Sequence, residues 1–147
     1  TAAKSDTVEF NETSMIQTPS GDLVAFVRTA NFDDHTVIVR SSDMGKTWQP
    51  WEDTGIVGHP HHALQLPDKR VYLVYGYRHE PFGVRARVLD PECTAYDTEE
   101  VVLREDGGSR DIGYPWSCLT ADGKVLSVYY FNQGGTRFIA GTYLEIE

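Results

Sequence analysis

A repeated hairpin constrains the fold of this chain more than any other feature of its sequence. Three segments, residues 17–28, 65–76 and 119–130, align with one another, and their starts are separated by 48 and 54 residues. In each segment a short polar turn precedes a run rich in Val, Leu and aromatic residues. The turns are Ser20-Gly21, Asp68-Lys69 and Asp122-Gly123. Because Ser, Asp and Gly favour tight turns, while β-branched and aromatic residues favour strands, each segment is predicted to form a β-hairpin.

Further strand-like segments follow each hairpin. The third-strand segments are residues 36–40, 84–89 and 137–146, and the fourth-strand segments are residues 51–57 and 100–104. Four antiparallel strands per repeat is the arrangement of a β-propeller blade, and the 3.6-residue period of an amphipathic helix is absent from the sequence. The sequence therefore predicts an all-β fold with one domain of about three blades, at approximately residues 11–58, 59–106 and 112–147.

The third repeat ends before a fourth strand, and residues 4–10 are predicted as the strand that completes its blade. Closed propellers contain about four to eight blades. Three blades alone leave apolar sheet faces uncovered, and large uncovered apolar faces are binding surfaces. We therefore expect either that the chain associates with itself or that a missing N-terminal half of a longer propeller covers these faces.

The charge and apolar content of the chain argue against two classes of partner. The net charge is −9, and the 13 lysines and arginines form no block that follows a phosphate backbone, so nucleic acid is not an expected partner. No apolar run approaches the roughly 20 residues that cross a bilayer, so no membrane span is predicted. Cys93 and Cys118 lie outside metal-finger spacing and leave the redox compartment open.

Residues 41–48, Ser-Ser-Asp-Met-Gly-Lys-Thr-Trp, resemble the Asp box of sialidases and other BNR-repeat propellers, which joins the third and fourth strands of a blade. In such a turn the Asp43 carboxylate accepts backbone N–H groups, and Gly45 takes a positive φ. We therefore expect a structural role for this motif and no part in catalysis. The second blade has a weaker version at residues 90–96, without the glycine and the tryptophan.

The repeat alignment also indicates which residues face a common pocket. Glu12, Pro60 and Tyr114 occupy equivalent positions at the start of the first strand of each blade. In a propeller this strand lines the central channel. A carboxylate and a phenol at such positions are not required by core packing, so Glu12 and Tyr114 are candidate catalytic residues.

Around these positions the chain resembles the C-terminal half of a six-bladed bacterial exo-sialidase. Residues 11–28 resemble the stretch in which a glutamate is followed by an arginine of the carboxylate-binding triad, here Glu12 and Arg28, sixteen residues apart. Residues 113–130 resemble the stretch that carries the nucleophilic tyrosine, here Tyr114.

The last arginine of the triad is less clearly placed by the resemblance. The segment at residues 81–87 is similar to the region that holds it, with Arg85 as the first choice and Arg78 and Arg87 as alternatives. Asp111 is close in sequence to the nucleophile and is predicted to contact substrate or an arginine.

The resemblance implies a sialidase-like glycoside hydrolase that acts on sialic acid or a related acidic sugar. Guanidinium groups bind the sugar carboxylate in bidentate fashion, and an uncharged tyrosine attacks without being repelled by it. The third arginine and the aspartic general acid of such enzymes would come from N-terminal blades, so this chain alone is expected to be inactive. The resemblance also implies a secreted or periplasmic location.

The cluster His59-Pro60-His61-His62 raises the question of a metal site. Because no third ligand follows at a fixed spacing, neither a metal nor a cofactor is predicted. His61 is predicted to hydrogen-bond to substrate, with the plain polarity of a loop as the alternative. Two alternatives to the hydrolase stay open. One is a non-catalytic BNR-repeat module that binds a sugar or a protein, and the other is a lyase in which Tyr114 and a channel histidine remove a proton next to a uronate carboxylate.

Overall fold

The structure, a computed structural model, describes residues 1–146 and is all-β. Its strands are β1 (Phe10–Gln17), β2 (Leu23–Thr29), β3 (His35–Ser41), β4 (Glu52–Val57), β5 (His61–Gln65), β6 (Val71–Tyr77), β7 (Gly83–Leu89), β8 (Glu100–Arg104), β9 (Gly113–Leu119), β10 (Val125–Gln133) and β11 (Thr136–Leu144). The described residues form no helix, and hence none of the length and hydropathy that a membrane crossing requires.

The strands form three antiparallel sheets that correspond to about three propeller blades, as the repeats predict. The strand orders are β1-β2-β3-β4, β5-β6-β7-β8 and β11-β10-β9. The predicted completion of the third blade by residues 4–10 is not observed, because Phe10 pairs with Thr29 of β2 in the first sheet. The N-terminal segment is held there by Asn31, whose side chain bonds to the backbone of Glu9 and Thr7. Within the described residues the third sheet has three strands.

The repeated turns have the geometry that their residues predict. The backbone N–H of Thr18 donates to the carbonyl of Asp22 at 2.8 Å, which closes the first hairpin. Gly21 and Gly123 adopt positive φ values of 98° and 83°, and Lys69 adopts 77° at the corresponding place in the second hairpin. A residue with a β-carbon therefore accepts the left-handed conformation that the other two repeats assign to glycine.

The blades pack face to face through two apolar cores. Alternate residues of β6 point to opposite faces of the second sheet. Leu73 and Tyr75 face the first sheet, and Tyr72 and Val74 face the third. The first strands lie together at the centre, since β5 contacts both β1 and β9. This packing defines an upper end of the molecule, where β1, β5 and β9 begin, and a lower end, where they finish.

The two outer faces differ in how well they are covered. On the first sheet, Phe10 and Trp51 pack against the outward-facing residues of β2 and β3, together with Ala3 of the N-terminal segment. On the third sheet, Trp116, Ile139 and Tyr143 are 71%, 68% and 63% exposed. The expected uncovered apolar surface is therefore concentrated on the third sheet, and its covering partner remains a proposal.

The Asp box lies at the lower end, in the turn between β3 and β4. The Asp43 carboxylate accepts the backbone N–H of Thr47 at 2.8 Å and its hydroxyl at 2.6 Å. The weaker copy keeps the same arrangement, because the Asp90 carboxylate accepts the N–H of Thr94 at 2.8 Å and its hydroxyl at 3.1 Å. These bonds are local, so the motif stabilises the turn, as its residue types predict.

Replacing Asp43 with Ala is expected to lower the midpoint of thermal unfolding by about 5 °C, because the Thr47 N–H and hydroxyl lose their acceptor. Circular dichroism measures the midpoint. The variant Asp90→Ala tests the second copy of the motif. It is expected to lower the midpoint by a similar amount, since Asp90 makes the same bonds to Thr94. An unchanged midpoint in both variants would contradict the structural role of the motif.

Candidate functional site

Five of the residues that the sequence predicts for the site lie at the upper end. Glu12 lies in β1, Arg28 in β2 and Tyr114 in β9. Arg78 directly follows β6, and Asp111 precedes β9. Residues from all three blades therefore meet at one end of the central strands, opposite the Asp box.

Glu12 and Arg28 form an ion pair within the first blade. One terminal nitrogen of Arg28 donates to both carboxylate oxygens of Glu12 at 3.0 Å. The Arg28 side chain is 17% exposed, while that of Glu12 is 50% exposed. Within the described residues, the buried Nε of Arg28 has no hydrogen-bond partner. The pairing leaves Glu12 open to a second partner from solvent and leaves one donor of Arg28 unused.

Tyr114 is an exposed residue with a strained backbone. Its φ is +51°, in the left-handed region, although it has a β-carbon and precedes Pro115, which favours an extended conformation in the residue before it. Such a conformation costs on the order of 1–3 kcal/mol and persists only where the surrounding structure enforces it. The side chain is 53% exposed on the face of β9 that it shares with Trp116. The strain therefore presents the phenol to solvent at the upper end.

A close approach of two backbones enforces this geometry. A β-carbon at Gly113 would lie 3.0 Å from the Cα of Gly76, and one at Gly76 would lie 2.9 Å from both the Cα of Gly113 and the carbonyl oxygen of His59. Only glycine at both positions lets the end of β6 touch the start of β9. The contact places Tyr114 beside Arg78, two residues beyond Gly76.

Arg78 differs from the other arginines in the part of the chain that the structure describes. Its Nε donates to the carbonyl of Ile112 at 3.1 Å, and its guanidinium carbon lies 5.3 Å from the centre of the Tyr114 ring. Each of the other eight arginines has a carboxylate within ion-pair distance. These arginines are Arg28, Arg40, Arg70, Arg85, Arg87, Arg104, Arg110 and Arg137. Arg78 is therefore held in place without its charge being neutralised by a residue in 1–146.

Arg78 also lines a cleft of about 420 Å³ whose floor is Asp34. The cleft residues are Ala30, Asn31, Asp33, Asp34, Arg78, His79 and Arg110. The Asp34 carboxylate lies 2.7 Å from His59 Nε2, 3.2 Å from His79 Nε2 and 3.7 Å from a terminal nitrogen of Arg110. Burial acts to raise the pKa of Asp34, but the hydrogen bond with His59 and the nearby positive groups outweigh it, so this pKa lies below its ordinary value.

Comparison with known families matches the profile of the BNR repeat-like domain to residues 3–126. The chain belongs to the BNR repeat-like domain family. Membership of this family is consistent with the sialidase-type superfamily. None of the curated proteins compared with the sequence matches it.

The BNR repeat-like domain described here is similar to a solved structure, that of a protein of unknown function from Dyadobacter fermentans. The two sequences are 53% identical, and the structures superpose with a TM-score of 0.96. The match covers 99% of this chain and 41% of the other, so this chain spans less than half the length of that relative.

In this BNR repeat-like domain, Arg85 lies away from Tyr114. It is in the third strand of its blade, where its terminal nitrogen donates to Glu100 of β8 at 2.6 Å and its guanidinium carbon lies 3.4 Å from the centre of the Tyr77 ring. Arg87 likewise bonds to the hydroxyl of Tyr75 at 3.3 Å. The side chains of Arg85 and Arg87 therefore bond to residues of neighbouring strands. The arginine that lies beside Tyr114 is Arg78, one of the two alternatives.

His61 and Asp111 also have partners within the domain. His61 Nε2 lies 2.6 Å from the Thr36 hydroxyl and 2.8 Å from the Gly58 carbonyl. Burial lowers the pKa of His61 to about 3, so its imidazole is neutral. Its contact with Thr36 connects the first two blades. Asp111 accepts the Tyr130 hydroxyl at 3.0 Å and lies 3.3 Å from Arg137 Nε. The structure therefore does not bring His61 and Asp111 into contact with Tyr114 or Glu12.

The histidines at residues 59–62 have separate partners. His59 bonds to Asp34, His61 to Thr36, and His62 stacks on Trp116 with ring centres 4.2 Å apart. Within residues 1–146, no group of three or more His, Cys, Asp and Glu side chains is arranged to hold a metal ion.

Asp34 is the residue that sequence reasoning missed. Its position in the chain could have indicated a place near the site. The loop between the second and third strands of a blade, which carries Asp34, lies at the same end of the blade as the start of the first strand. The three partners of Asp34 come from loops that are distant in sequence, and no local pattern connects them.

Proposed function

We propose that this chain supplies the nucleophile and a carboxylate-binding arginine to a sialidase-like glycoside hydrolase that acts on sialic acid or a related acidic sugar. The observation that carries the proposal is the pairing of an exposed, strained Tyr114 with Arg78, whose charge has no acidic partner among the described residues. A fixed guanidinium beside a nucleophile is what an enzyme needs to orient a sugar that carries a carboxylate next to its reacting carbon.

Arg78 is suited to bind that carboxylate. Because its Nε is held by the Ile112 carbonyl, the plane of the guanidinium is fixed, and the two terminal nitrogens are left to donate to both oxygens of one carboxylate. Arg28 is the second candidate for the clamp, since it lies at the upper end and its pairing with Glu12 uses one of its two terminal nitrogens. Arg85 is not proposed for it, because Glu100 and Tyr77 already occupy its guanidinium.

The proposed reaction uses Tyr114 as the attacking group. A bond forms between its phenolic oxygen and the anomeric carbon of the sugar as the glycosidic bond breaks, and water later hydrolyses the glycosyl-tyrosine intermediate. Glu12 is the proposed base that accepts the phenolic proton. Its carboxylate is half-exposed, and it exchanges contact with Arg28 for contact with substrate and Tyr114. The proton for the leaving group comes from a general acid outside this chain.

The whole active site is proposed to include residues beyond this chain. The similar solved structure is more than twice as long, and the exposed apolar face of the third sheet is where a neighbouring blade, or a second copy of the chain, would pack. We therefore propose that the chain binds an acidic sugar on its own but turns it over only within a complete propeller.

Replacing Tyr114 with Phe in a polypeptide that contains the complete propeller is expected to reduce turnover of a fluorogenic sialoside by about 1,000-fold, while the dissociation constant of the free sugar changes little. Release of free sialic acid measures turnover, and calorimetry measures binding. The control is Tyr143→Phe, which alters another exposed tyrosine of the third sheet. Equal turnover in the two variants would exclude Tyr114 as the nucleophile.

A lyase acting on a uronate is a second candidate, and His79 favours it. His79 is 46% exposed beside Arg78, and its Nε2 lies 3.2 Å from the Asp34 carboxylate, which orients the ring as a carboxylate orients a catalytic base. In this reaction His79 removes the proton from the carbon next to the bound carboxylate. The glycosidic C–O bond on the neighbouring carbon then breaks, Tyr114 protonates the leaving oxygen, and an unsaturated uronate that absorbs ultraviolet light is released. That product, in place of free sialic acid, distinguishes the lyase from the hydrolase. Binding without either product would indicate a non-catalytic sugar-binding module.

A further inference from the structure

The Asp34 carboxylate connects loops of all three blades. Asp34 itself lies in the loop between β2 and β3 of the first blade. Its three partners are His59 in the loop before β5, His79 in the loop between β6 and β7, and Arg110 in the loop before β9. No other carboxylate in residues 1–146 forms ion pairs with three separate loops.

Each of these partners is next to a group that forms the candidate site. His79 follows Arg78 in the chain, so its contact with Asp34 fixes the loop that carries the guanidinium. Arg110 lies two residues before Ile112, whose carbonyl accepts the Nε of Arg78. His59 donates its backbone N–H to the carbonyl of Gly76 at 2.8 Å, at the contact that positions Tyr114.

The loop that carries Asp34 is shaped for this contact. Asp33 and Asp34 adopt consecutive left-handed conformations, with φ values of 48° and 59°. Asp is one of the few residues with a β-carbon that tolerates this region. The Asp34 side chain is 13% exposed, and the turn directs its carboxylate inwards beneath the cleft. The neighbouring Asp33 is exposed.

We propose that Asp34 is a positioning residue that holds the loops of the three blades together and thereby fixes Arg78 in the orientation that receives a sugar carboxylate. The assignment of a ligand to Arg78 rests on the function proposed above, but the fixed orientation of Arg78 does not. Asp34 acts through His79 and Arg110 and does not touch the substrate carboxylate, since two negative groups would repel each other.

The variant Asp34→Asn tests the proposal with little change in shape. Asn also tolerates a left-handed conformation, and its carbonyl still accepts the hydrogen bond from His59. Its amide group, however, is uncharged and presents N–H donors to Arg110, which has no acceptor, and to His79, whose Nε2 accepts only in the neutral tautomer protonated on Nδ1. The variant therefore removes the charge that attracts Arg110 and His79 while the β2–β3 loop keeps its conformation.

The measurement is the exchange of the Arg78 Nε–H with solvent, followed by NMR of the chain with labelled arginine. In Asp34→Asn this proton is expected to exchange at least 10-fold faster than in the unaltered chain, while the backbone amide of Tyr72 in the core exchanges at an unchanged rate. The matched control Asp33→Asn is expected to leave both rates unchanged. Unchanged protection of the Arg78 Nε–H in Asp34→Asn would overturn the proposal.

A second variant keeps the test decisive if Asp34→Asn fails to fold. Arg110→Gln removes one contact at a side chain that is 68% exposed, and it is expected to accelerate exchange of the Arg78 Nε–H by about threefold. Equal exchange in Arg110→Gln and the unaltered chain would count against the proposal.

Binding of free sialic acid to the same variants separates this proposal from the proposed function. If both hold, Asp34→Asn weakens binding by about 10-fold and Asp33→Asn does not. If the unaltered chain binds no acidic sugar but Asp34→Asn still accelerates exchange of the Arg78 Nε–H with solvent, the positioning role stands and the proposed function fails.

Discussion

Replacing Arg78 with Gln is expected to weaken binding of a sugar carboxylate by about 100-fold. A hydrogen-bonded contact between a guanidinium and a carboxylate contributes roughly 3 kcal/mol, and 1.4 kcal/mol corresponds to a tenfold change in the dissociation constant. Arg78 is expected to contribute most of this binding free energy, because its charge is not neutralised by another described residue and the plane of its guanidinium is fixed by Ile112. Isothermal titration calorimetry with sialic acid measures the change.

Two further substitutions make the result specific. Arg137→Gln removes an exposed arginine from the same end of the molecule and is expected to leave binding unchanged, since Arg137 pairs with Asp111. Arg85→Gln is expected to lower stability through the loss of its contact with Glu100, with binding preserved in the folded fraction. If Arg85→Gln abolished binding in the folded protein and Arg78→Gln did not, the assignment of the carboxylate ligand to Arg78 would be wrong.

The fold was predictable from the sequence because its signals are local. Each hairpin needs only a turn and two short apolar runs, and the three copies confirm one another through their alignment. Even the second turn, in which Lys69 replaces the expected glycine, was found because its flanking strands match the other copies. The same locality explains the Asp box, whose bonds join residues four positions apart.

The choice among arginines was not predictable, because it depends on contacts between strands. Arg85 and Arg87 alternate with apolar residues in β7, and this pattern shows only that both lie on the same face. In the pairing of β7 with β8, Arg87 lies opposite Glu100 and Arg85 lies opposite Val102, and both guanidinium groups are within ion-pair distance of Glu100. The sequence carries no local mark of this register.

The position of Tyr114 was predicted, but its strained conformation was not. Repeat alignment places it at the start of a first strand, and Tyr114 is the second residue of β9. Its left-handed conformation results from the contact between Gly76 and Gly113, which belong to different blades. Packing between blades, unlike a turn, requires residues that are distant in the chain, so it becomes visible only in the structure.

Replacing Gly113 with Ala is expected to reduce the free energy of unfolding by about 3 kcal/mol, the largest stability loss among the substitutions considered. The left-handed conformation, with φ at +109°, costs a residue with a β-carbon about 1 kcal/mol. The new methyl group also lies 3.0 Å from the Cα of Gly76, and relief of such a backbone clash costs about 2 kcal/mol more. Urea denaturation followed by circular dichroism measures the loss.

The variant Gly123→Ala separates the two contributions. Gly123 also has a positive φ, at +83°, but a β-carbon there would meet no atom within 4 Å. Its replacement is therefore expected to cost about 1 kcal/mol, the conformational part alone. The remaining difference of about 2 kcal/mol measures the contact between the second and third blades that holds Tyr114 beside Arg78. Equal losses in the free energy of unfolding would show that the two backbones move apart at no cost. The fixed placement of Tyr114 would then need another cause.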